Sequence, residues 1–110
     1  MILIIVKFPV LENRQDEWLS LAKDYAEACR SEEGNVFFEW SRSVNEANTF
    51  VCIEGFRDAD AGAAHVATDH AKRFFETAPD LVSAQPQIIY VDEPDLTGWG
   101  PMGEIQPRNA

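Results

Sequence analysis

The order in which the apolar residues change their spacing limits the folds available to this chain. Residues 2–8 form a short β-branched run that ends at Pro9, which indicates a strand. Between residues 12 and 30, apolar side chains recur every three or four positions, which is typical of an amphipathic helix. The remaining segments follow as strand, strand, helix and strand, at residues 35–44, 49–56, 58–77 and 87–91.

This order predicts an α+β fold of the ferredoxin-like, split βαβ type, with one four-stranded antiparallel sheet and its helices on one face. Asp58 and Thr68 are candidate N-caps, so the second helical region is predicted to be two short helices that meet between His65 and His70. The predicted strands carry apolar residues on both faces, whereas helices can cover only one. We therefore expect a homodimer whose sheets pack face to face.

The domain is expected to span residues 1–94, and residues 95–110 are expected to form an irregular tail. The tail is rich in glycine and proline, yet it holds Trp99, Met102 and Ile105. Apolar side chains in a segment without regular structure predict that it lies against an apolar surface.

Charge and cysteine content exclude several classes of partner. The chain has 19 acidic and 9 basic residues, a net charge of −10. Nucleic acid and anionic membrane surfaces would be repelled by that field. Cys29 and Cys52 are expected to be reduced, buried thiols, and no Cys/His spacing along the chain is typical of a zinc site. Without a signal peptide or a transmembrane run, the chain is expected to be cytoplasmic.

The histidines mark the first place to look for proton transfer. His65 and His70 are the two histidines of the chain, and Glu54 ends an apolar strand shortly before them. Histidine has the side-chain pKa closest to neutrality, and a neighbouring carboxylate would raise its basicity and select its tautomer. We therefore predict that His65 is a general base oriented by Glu54.

Structural explanations stay open beside the catalytic one. His65 could be a buried histidine bonded to Glu54 or to a carbonyl, and His70 could be a surface or capping residue. A buried Glu54 needs a partner, and that partner could also be one of three cations. They are Arg42, Arg57 and Lys72. The acids of the first helix and of the turn after it, Glu32 included, are expected to form a solvated face, and Tyr25 is expected only to pack in the core.

Several short motifs, taken in order, resemble the antibiotic biosynthesis monooxygenase family over roughly residues 1–93. They are Glu33-Gly34 before the second strand, Phe38, the strand end Glu54-Gly55-Phe56, and Ala64-His65-Val66-Ala67-Thr68-Asp69-His70 followed by Phe74. The resemblance implies a small dimeric α+β barrel. It also implies oxygenation of a quinol or polyketide-derived phenol by dioxygen, without metal, flavin or other cofactor.

The resemblance also implies positions for the site. The histidine-bearing helix of the family corresponds to His65 and His70, and its polar residue after the first helix corresponds to Asn35. Its aromatic pocket wall is similar to Phe38, Trp40 and Phe56. Phe74 and Phe75 could complete an apolar cage that excludes water from the substrate. Taken singly, each of these aromatic residues is more typical of a core than of a substrate cage.

Other functions remain open because one fold hosts many chemistries. One is an isomerase of a small oxygenated metabolite, and another is a non-catalytic dimeric protein for ligand binding or stress. A pocket with a histidine and aromatic walls favours the monooxygenase. Cationic groups able to hold a phosphate favour the isomerase, and a cavity filled by side chains favours the binding protein.

Overall fold

The computed structural model describes residues 1–109 and has the predicted order of elements. Its strands and helices are β1 (Ile2–Pro9), α1 (Gln15–Arg30), β2 (Asn35–Arg42), β3 (Thr49–Phe56), α2 (Ala59–Val66), α3 (Asp69–Thr77) and β4 (Gln87–Asp92). Short 3-10 turns at Glu12–Arg14 and Ala78–Asp80 precede α1 and follow α3. After β4, residues 93–109 contain no helix or strand.

The strands form one antiparallel sheet in the order β2-β3-β1-β4. The register places Ile4 opposite Glu54 on one side and opposite Tyr90 on the other, and Glu54 opposite Phe38. Residues that lie directly opposite each other on neighbouring strands point to the same face of the sheet, so these four share a face. The fold is therefore the α+β, ferredoxin-like arrangement that the sequence predicts.

The main core lies between the sheet and the helices. Its centre is the fully buried Trp18 of α1, whose ring lies 5.0 Å from Phe8, 5.6 Å from Trp40 and 5.7 Å from Phe74. Trp40 also donates a 2.9 Å hydrogen bond from Nε1 to the Ala22 carbonyl. The aromatic rings of two helices and two strands therefore fill the same space, mostly in edge-on or tilted contacts.

Side-chain caps divide the second helical region as predicted. Asp58 accepts a hydrogen bond from the Ala61 amide at 2.8 Å, and Thr68 accepts one from the Ala71 amide at 3.2 Å. The prediction of two short helices between residues 58 and 77 is confirmed. Helix α1 differs, because a 3-10 turn precedes it and its first residue is Gln15 without a side-chain cap.

Gly34, just after α1, allows a close approach between two elements and does not end the helix in a left-handed conformation. Its φ is not positive, and a Cβ built on it would lie 2.3 Å from the Cβ of Ala61. The absence of a side chain therefore lets the turn after α1 approach α2. This approach brings the end of α1 beside the helix that carries His65.

Within the described part of the chain, no helix lies over the other face of the sheet. Leu3, Ile5, Phe37 and Ile53 lie on this open face, and the tail approaches it where the Trp99 ring is 5.8 Å from Phe37. The last residue of the predicted tail segment, Ala110, lies outside the described residues. Within residues 1–109, no helix combines the length and the apolar character that a membrane crossing requires.

Candidate active site

A narrow cleft of about 120 Å³ lies between the sheet and the helices. Its lining residues are Ile4, Val6, Phe8, Tyr25, Cys52, Glu54, His65, Val66, Phe74, Phe75 and Ile88. A wider groove of about 410 Å³ adjoins it along Phe8, Phe74 and Phe75 and extends over the loop before β4. The polar groups Tyr25, Glu54 and His65 thus belong to an otherwise largely apolar cleft.

His65 is held by polar groups on both sides of its ring. It lies in the last turn of α2 and is 3% exposed. Its Nδ1 is 2.9 Å from Oε2 of Glu32, and its Nε2 is 3.1 Å from the Tyr25 hydroxyl. An ionised carboxylate can only accept, so the pairing with Glu32 places a hydrogen on Nδ1 and orients the ring.

Glu54 faces the same imidazole from the sheet. Its Oε1 lies 3.5 Å from His65 Nε2, and its Oε2 accepts a 3.3 Å hydrogen bond from the Cys52 thiol. Glu54 is 5% exposed, and this burial raises the pKa of its carboxyl although His65 and Cys52 act in the opposite direction. The structure therefore brings Glu54 and His65 together, and the ring has a second carboxylate on its other nitrogen.

That second carboxylate, Glu32, was expected on a solvated face and lies instead in the polar cluster. It follows the end of α1 by two residues, and its side chain is 12% exposed. Its Oε2 is 2.7 Å from Nε2 of His70 as well as 2.9 Å from His65. Glu32 therefore joins the two histidines and, more closely than Glu54, sets the orientation of His65.

Two buried thiols flank the carboxylates. Burial raises the pKa of both Cys29 and Cys52 above the usual thiol range, with Glu32 adding to the effect at Cys29 and Glu54 at Cys52. Neither thiol is therefore an activated nucleophile. Cys29, Glu32, His65 and His70 each place a donor atom within 4.8 Å of the others, a spacing that could hold a metal ion.

Only some of the other predicted site residues line the cleft. Phe74 and Phe75 line the cleft, whereas Phe38 and Trp40 pack in the core and are not among its lining residues. Phe56 lies beside His65, with ring centres 4.6 Å apart. Asn35 begins β2, and its amide donates a 3.1 Å hydrogen bond to the Phe37 carbonyl. Phe38, Trp40 and Asn35 are thus outside the cleft.

Tyr25 is the second residue of the site that sequence reasoning missed. It was expected only to pack, but its hydroxyl contacts His65, and burial raises the pKa of that phenol. Tyr25 and Cys29 are one turn apart, and Glu32 follows three residues later. This i, i+4, i+7 pattern of polar or reactive side chains on a buried helix face was the available signal.

The arrangement can transfer a proton between side chains in a cleft with largely apolar walls. A carboxylate and an imidazole lie at hydrogen-bonding or near-hydrogen-bonding distance in a cleft with apolar walls, and a phenolic hydroxyl lies beside them. Among the described residues that line the cleft, none is a lysine or an arginine. A neutral or weakly acidic aromatic molecule therefore suits it better than a phosphate ester.

Comparison with known sequences gives a family. A family model described as antibiotic biosynthesis monooxygenase matches residues 1–77. The chain is also 32% identical over 89 residues to "Putative monooxygenase YcnE" of Bacillus subtilis, a match that covers 81% of this chain and 94% of that protein.

Solved structures agree on the fold. A crystal structure of an antibiotic biosynthesis monooxygenase superposes with a TM-score of 0.78 at 22% identity, over 84% of this chain and 98% of the other. Rv0793 from Mycobacterium tuberculosis superposes with a TM-score of 0.81 at 15% identity, over 88% and 98%. From the sequence matches and this shared fold, the chain belongs to the antibiotic biosynthesis monooxygenase family.

Proposed function

We propose that this protein is a cofactor-independent monooxygenase that oxidises a quinol, or a phenol of the polyketide type, with dioxygen. The observation that carries the proposal is the Glu54–His65 pair, 3.5 Å apart, in a narrow cleft with apolar walls. Membership of the family supports a monooxygenase-like role. The substrate and the freedom from cofactors are parts of the proposal.

The reaction requires little from the protein because the substrate supplies all the electrons. The site accepts the phenolic proton, and the resulting anion transfers one electron to dioxygen. The two radicals combine into a carbon–oxygen bond. Loss of the ring C–H proton then breaks the O–O bond, so that one oxygen stays as a carbonyl and the other leaves as water. The four electrons that reduce dioxygen come from the substrate.

Each polar residue of the cleft has a role in this scheme. The Glu54–His65 pair takes the phenolic proton and returns it to the departing oxygen as water forms. The Tyr25 hydroxyl, 3.1 Å from His65 Nε2, is the nearest donor for the developing negative charge. Asn35, the polar site position implied by the family resemblance, is not used here, because its amide is already bonded to a carbonyl.

The apolar walls support an aromatic substrate larger than one ring. The inner cleft of about 120 Å³ suits the reacting ring, and the adjoining groove of about 410 Å³ leaves room for the remainder. Phe74 and Phe75 border both spaces. Apolar walls exclude water and strengthen the electrostatic interactions of the transition state.

Oxygen uptake tests the proposal directly. Purified protein is mixed with a panel of naphthoquinols and anthrones, and the rate of autoxidation is subtracted. We expect protein-dependent uptake that falls at least about tenfold in His65→Ala and in Glu54→Gln, which corresponds to about 1.4 kcal/mol of barrier. Glu54→Gln keeps the shape of the side chain and removes its ability to accept a proton.

Glu27→Gln is the matched control, because Glu27 is an exposed acid on α1 away from the cleft. It should retain the rate of the wild type. Uptake no greater than autoxidation across the panel would contradict the proposal. Equal rates in wild type, His65→Ala and Glu54→Gln would show that the cleft is not the site.

We also propose that the protein is a homodimer closed by its sheets. Helices cover one face only, and the open face carries Leu3, Ile5 and Ile53 at its centre. In β4, the side chain of Ile89 continues this apolar face and is 61% exposed. A second copy would remove this surface from water.

Light scattering after size-exclusion chromatography tests the dimer. A charge at Ile89, in Ile89→Asp, should shift the mass toward that of one chain. Val44→Asp is the control, because Val44 is exposed in the loop between β2 and β3. A monomeric wild type, or a dimer unaffected by Ile89→Asp, would refute this arrangement.

A further inference from the structure

We propose that Cys29, Glu32, His65 and His70 form a four-coordinate site for Zn²⁺ or a similar divalent transition-metal ion. The site is built from the C-terminal end of α1 and the junction of α2 with α3. Neither the family model nor the names of the relatives assign a metal to it.

The geometry of the donor atoms is the first argument. One thiol, one carboxylate and two imidazoles place their donor atoms within 4.8 Å of one another. The Glu32 oxygen lies 2.9 Å from Nδ1 of His65 and 2.7 Å from Nε2 of His70, so one carboxylate oxygen already holds the ligating nitrogens of both rings near each other. Sulfur, nitrogen and carboxylate oxygen are the donors that zinc takes, in tetrahedral sites with four protein ligands.

The charge of the cluster is an independent argument. Glu32 and Glu54 are largely buried, and within residues 1–109 their ion pairs are with histidines and none is with lysine or arginine. Two carboxylates removed from water without a permanent cation are costly. A divalent cation offsets most of this buried negative charge and leaves one net negative charge when the Cys29 thiolate is counted.

The surroundings also match those of metal-bound histidines. An ion on Nδ1 of His65 leaves the ring hydrogen on Nε2. That nitrogen lies 3.1 Å from the Tyr25 hydroxyl and 3.5 Å from Glu54 Oε1. A carboxylate on the far nitrogen is the usual outer partner of a histidine ligand, where it fixes the tautomer and the ring orientation.

The predicted site is a structural one. Four protein ligands leave no open position for water or dioxygen, so the ion holds the helices together and orients His65. The Cys29 thiol must lose its proton to bind, and metal binding therefore releases protons. Zinc has no redox chemistry, and the Glu54 carboxylate beside His65 stays free to accept a proton. The site is therefore compatible with oxygenation in which the substrate supplies the electrons, with Glu54 as the base and His65 as its oriented partner in the metal-bound protein.

Metal titration of the full-length protein tests the site without any substrate. Under reducing conditions, we expect about one Zn²⁺ bound per chain, proton release on binding, and a higher melting temperature. Co²⁺ should produce a thiolate-to-metal charge-transfer band. Cys29→Ser should abolish that band, and Glu32→Gln should weaken binding by more than the roughly 10–100-fold that loss of an outer-shell partner costs.

Matched controls separate the site from general metal binding. Glu33→Gln changes an exposed acid next to Glu32, and Cys52→Ala removes the other buried thiol. Both should keep the stoichiometry and the cobalt band of the wild type. Circular dichroism checks that each variant is folded, and Glu32→Gln decides the matter if Cys29→Ser does not fold.

Two results would overturn the proposal. One is the absence of a stoichiometric metal, and the other is binding that is equal in wild type, Cys29→Ser and Glu32→Gln. Either would mean that the cluster is a hydrogen-bond network alone. Oxygen uptake by the same preparations is a separate readout, so a failed metal site leaves the proposed oxygenation standing, and the reverse is equally true.

Discussion

The space between helices and sheet has two ends of opposite character, built partly from the same helices. At the aromatic end, Trp18 of α1 and Phe74 of α3 pack with Phe8 and Trp40. At the polar end, α1 contributes Tyr25 and Cys29, and α3 contributes His70. His65 comes from α2, Glu54 from β3, and Glu32 from the turn after α1.

The two ends are stabilised by different forces. The aromatic end depends on burial, which has no direction. It even contains the buried Trp18 Nε1 group, for which residues 1–109 supply no hydrogen-bond partner. The polar end depends on contacts of 2.7–3.5 Å that require correct orientation. We therefore expect the aromatic end to determine stability and the polar end to be sensitive to small shifts of the backbone.

The largest effect is expected from the centre of the aromatic end. Trp18→Ala should lower the free energy of unfolding by about 3–5 kcal/mol, because it removes a fully buried ring and leaves a cavity. Trp99→Ala, at a side chain that is 69% exposed in the tail, should change it little. Urea denaturation measures both, and equal losses would invalidate the proposed difference between core and tail.

A smaller but more local effect is expected where α1 and α2 approach. Gly34→Ala places a methyl group against Ala61 and should cost about 1–3 kcal/mol through overpacking. It should also displace α2 and so disturb the contact of His65 with Glu32, visible as a shift of the imidazole resonances.

The control for this steric effect is Gly100→Ala, because a Cβ at Gly100 would meet nothing within 4 Å. It should match the wild type in stability and in its histidine resonances. Unchanged resonances in Gly34→Ala would show that the polar end is less sensitive to backbone position than we infer.

The junction between the two histidines should contribute about 1 kcal/mol. Thr68→Ala removes the N-cap of α3 and the 2.7 Å hydrogen bond from its hydroxyl to the His65 carbonyl. Thermal unfolding should show this loss, whereas Thr77→Ala, at the exposed end of α3, should show little. If Thr68→Ala does not change the thermal stability, the break between α2 and α3 does not depend on the Thr68 cap.

The smallest effect is expected from the cap of α2, and it should depend on pH. The hydrogen bond from the Ala61 amide lowers the pKa of Asp58, so the carboxylate stabilises the fold above its unfolded pKa of about 3.9 and loses this effect as the pH falls through the lowered value.

Asp58→Asn tests this linkage because asparagine can accept the same hydrogen bond without a charge. Its deficit in melting temperature should be largest near neutral pH and should disappear in acid. Asp60→Asn, an exposed acid in the first turn of α2, serves as the control for general charge effects. A deficit of the same size at all pH values would exclude the ionised cap as its cause.

Much of the fold could be predicted from local patterns. Apolar spacing indicates which face of α1 is buried, and the caps Asp58 and Thr68 divide the second helical region into α2 and α3. These features depend on residues within one or two turns of each other, so the sequence carries them directly. A buried Glu54 needs a partner, and the sequence left His65, Arg42, Arg57 and Lys72 open for it; the structure places it beside His65.

The tertiary structure alone decided which residues share the cleft and the polar cluster beside it. Glu32 and His65 are 33 positions apart, Glu32 and His70 are 38 apart, and Tyr25 and His65 are 40 apart. Phe38, Trp40 and Phe74 are all aromatic residues on the apolar side of their strand or helix. Of these three, Phe74 lines the cleft and the other two pack in the core. Periodicity reports which side of an element is buried. Which residues lie opposite that side depends on how the elements pack together. At Gly34, the missing side chain lets the turn after α1 pack against α2.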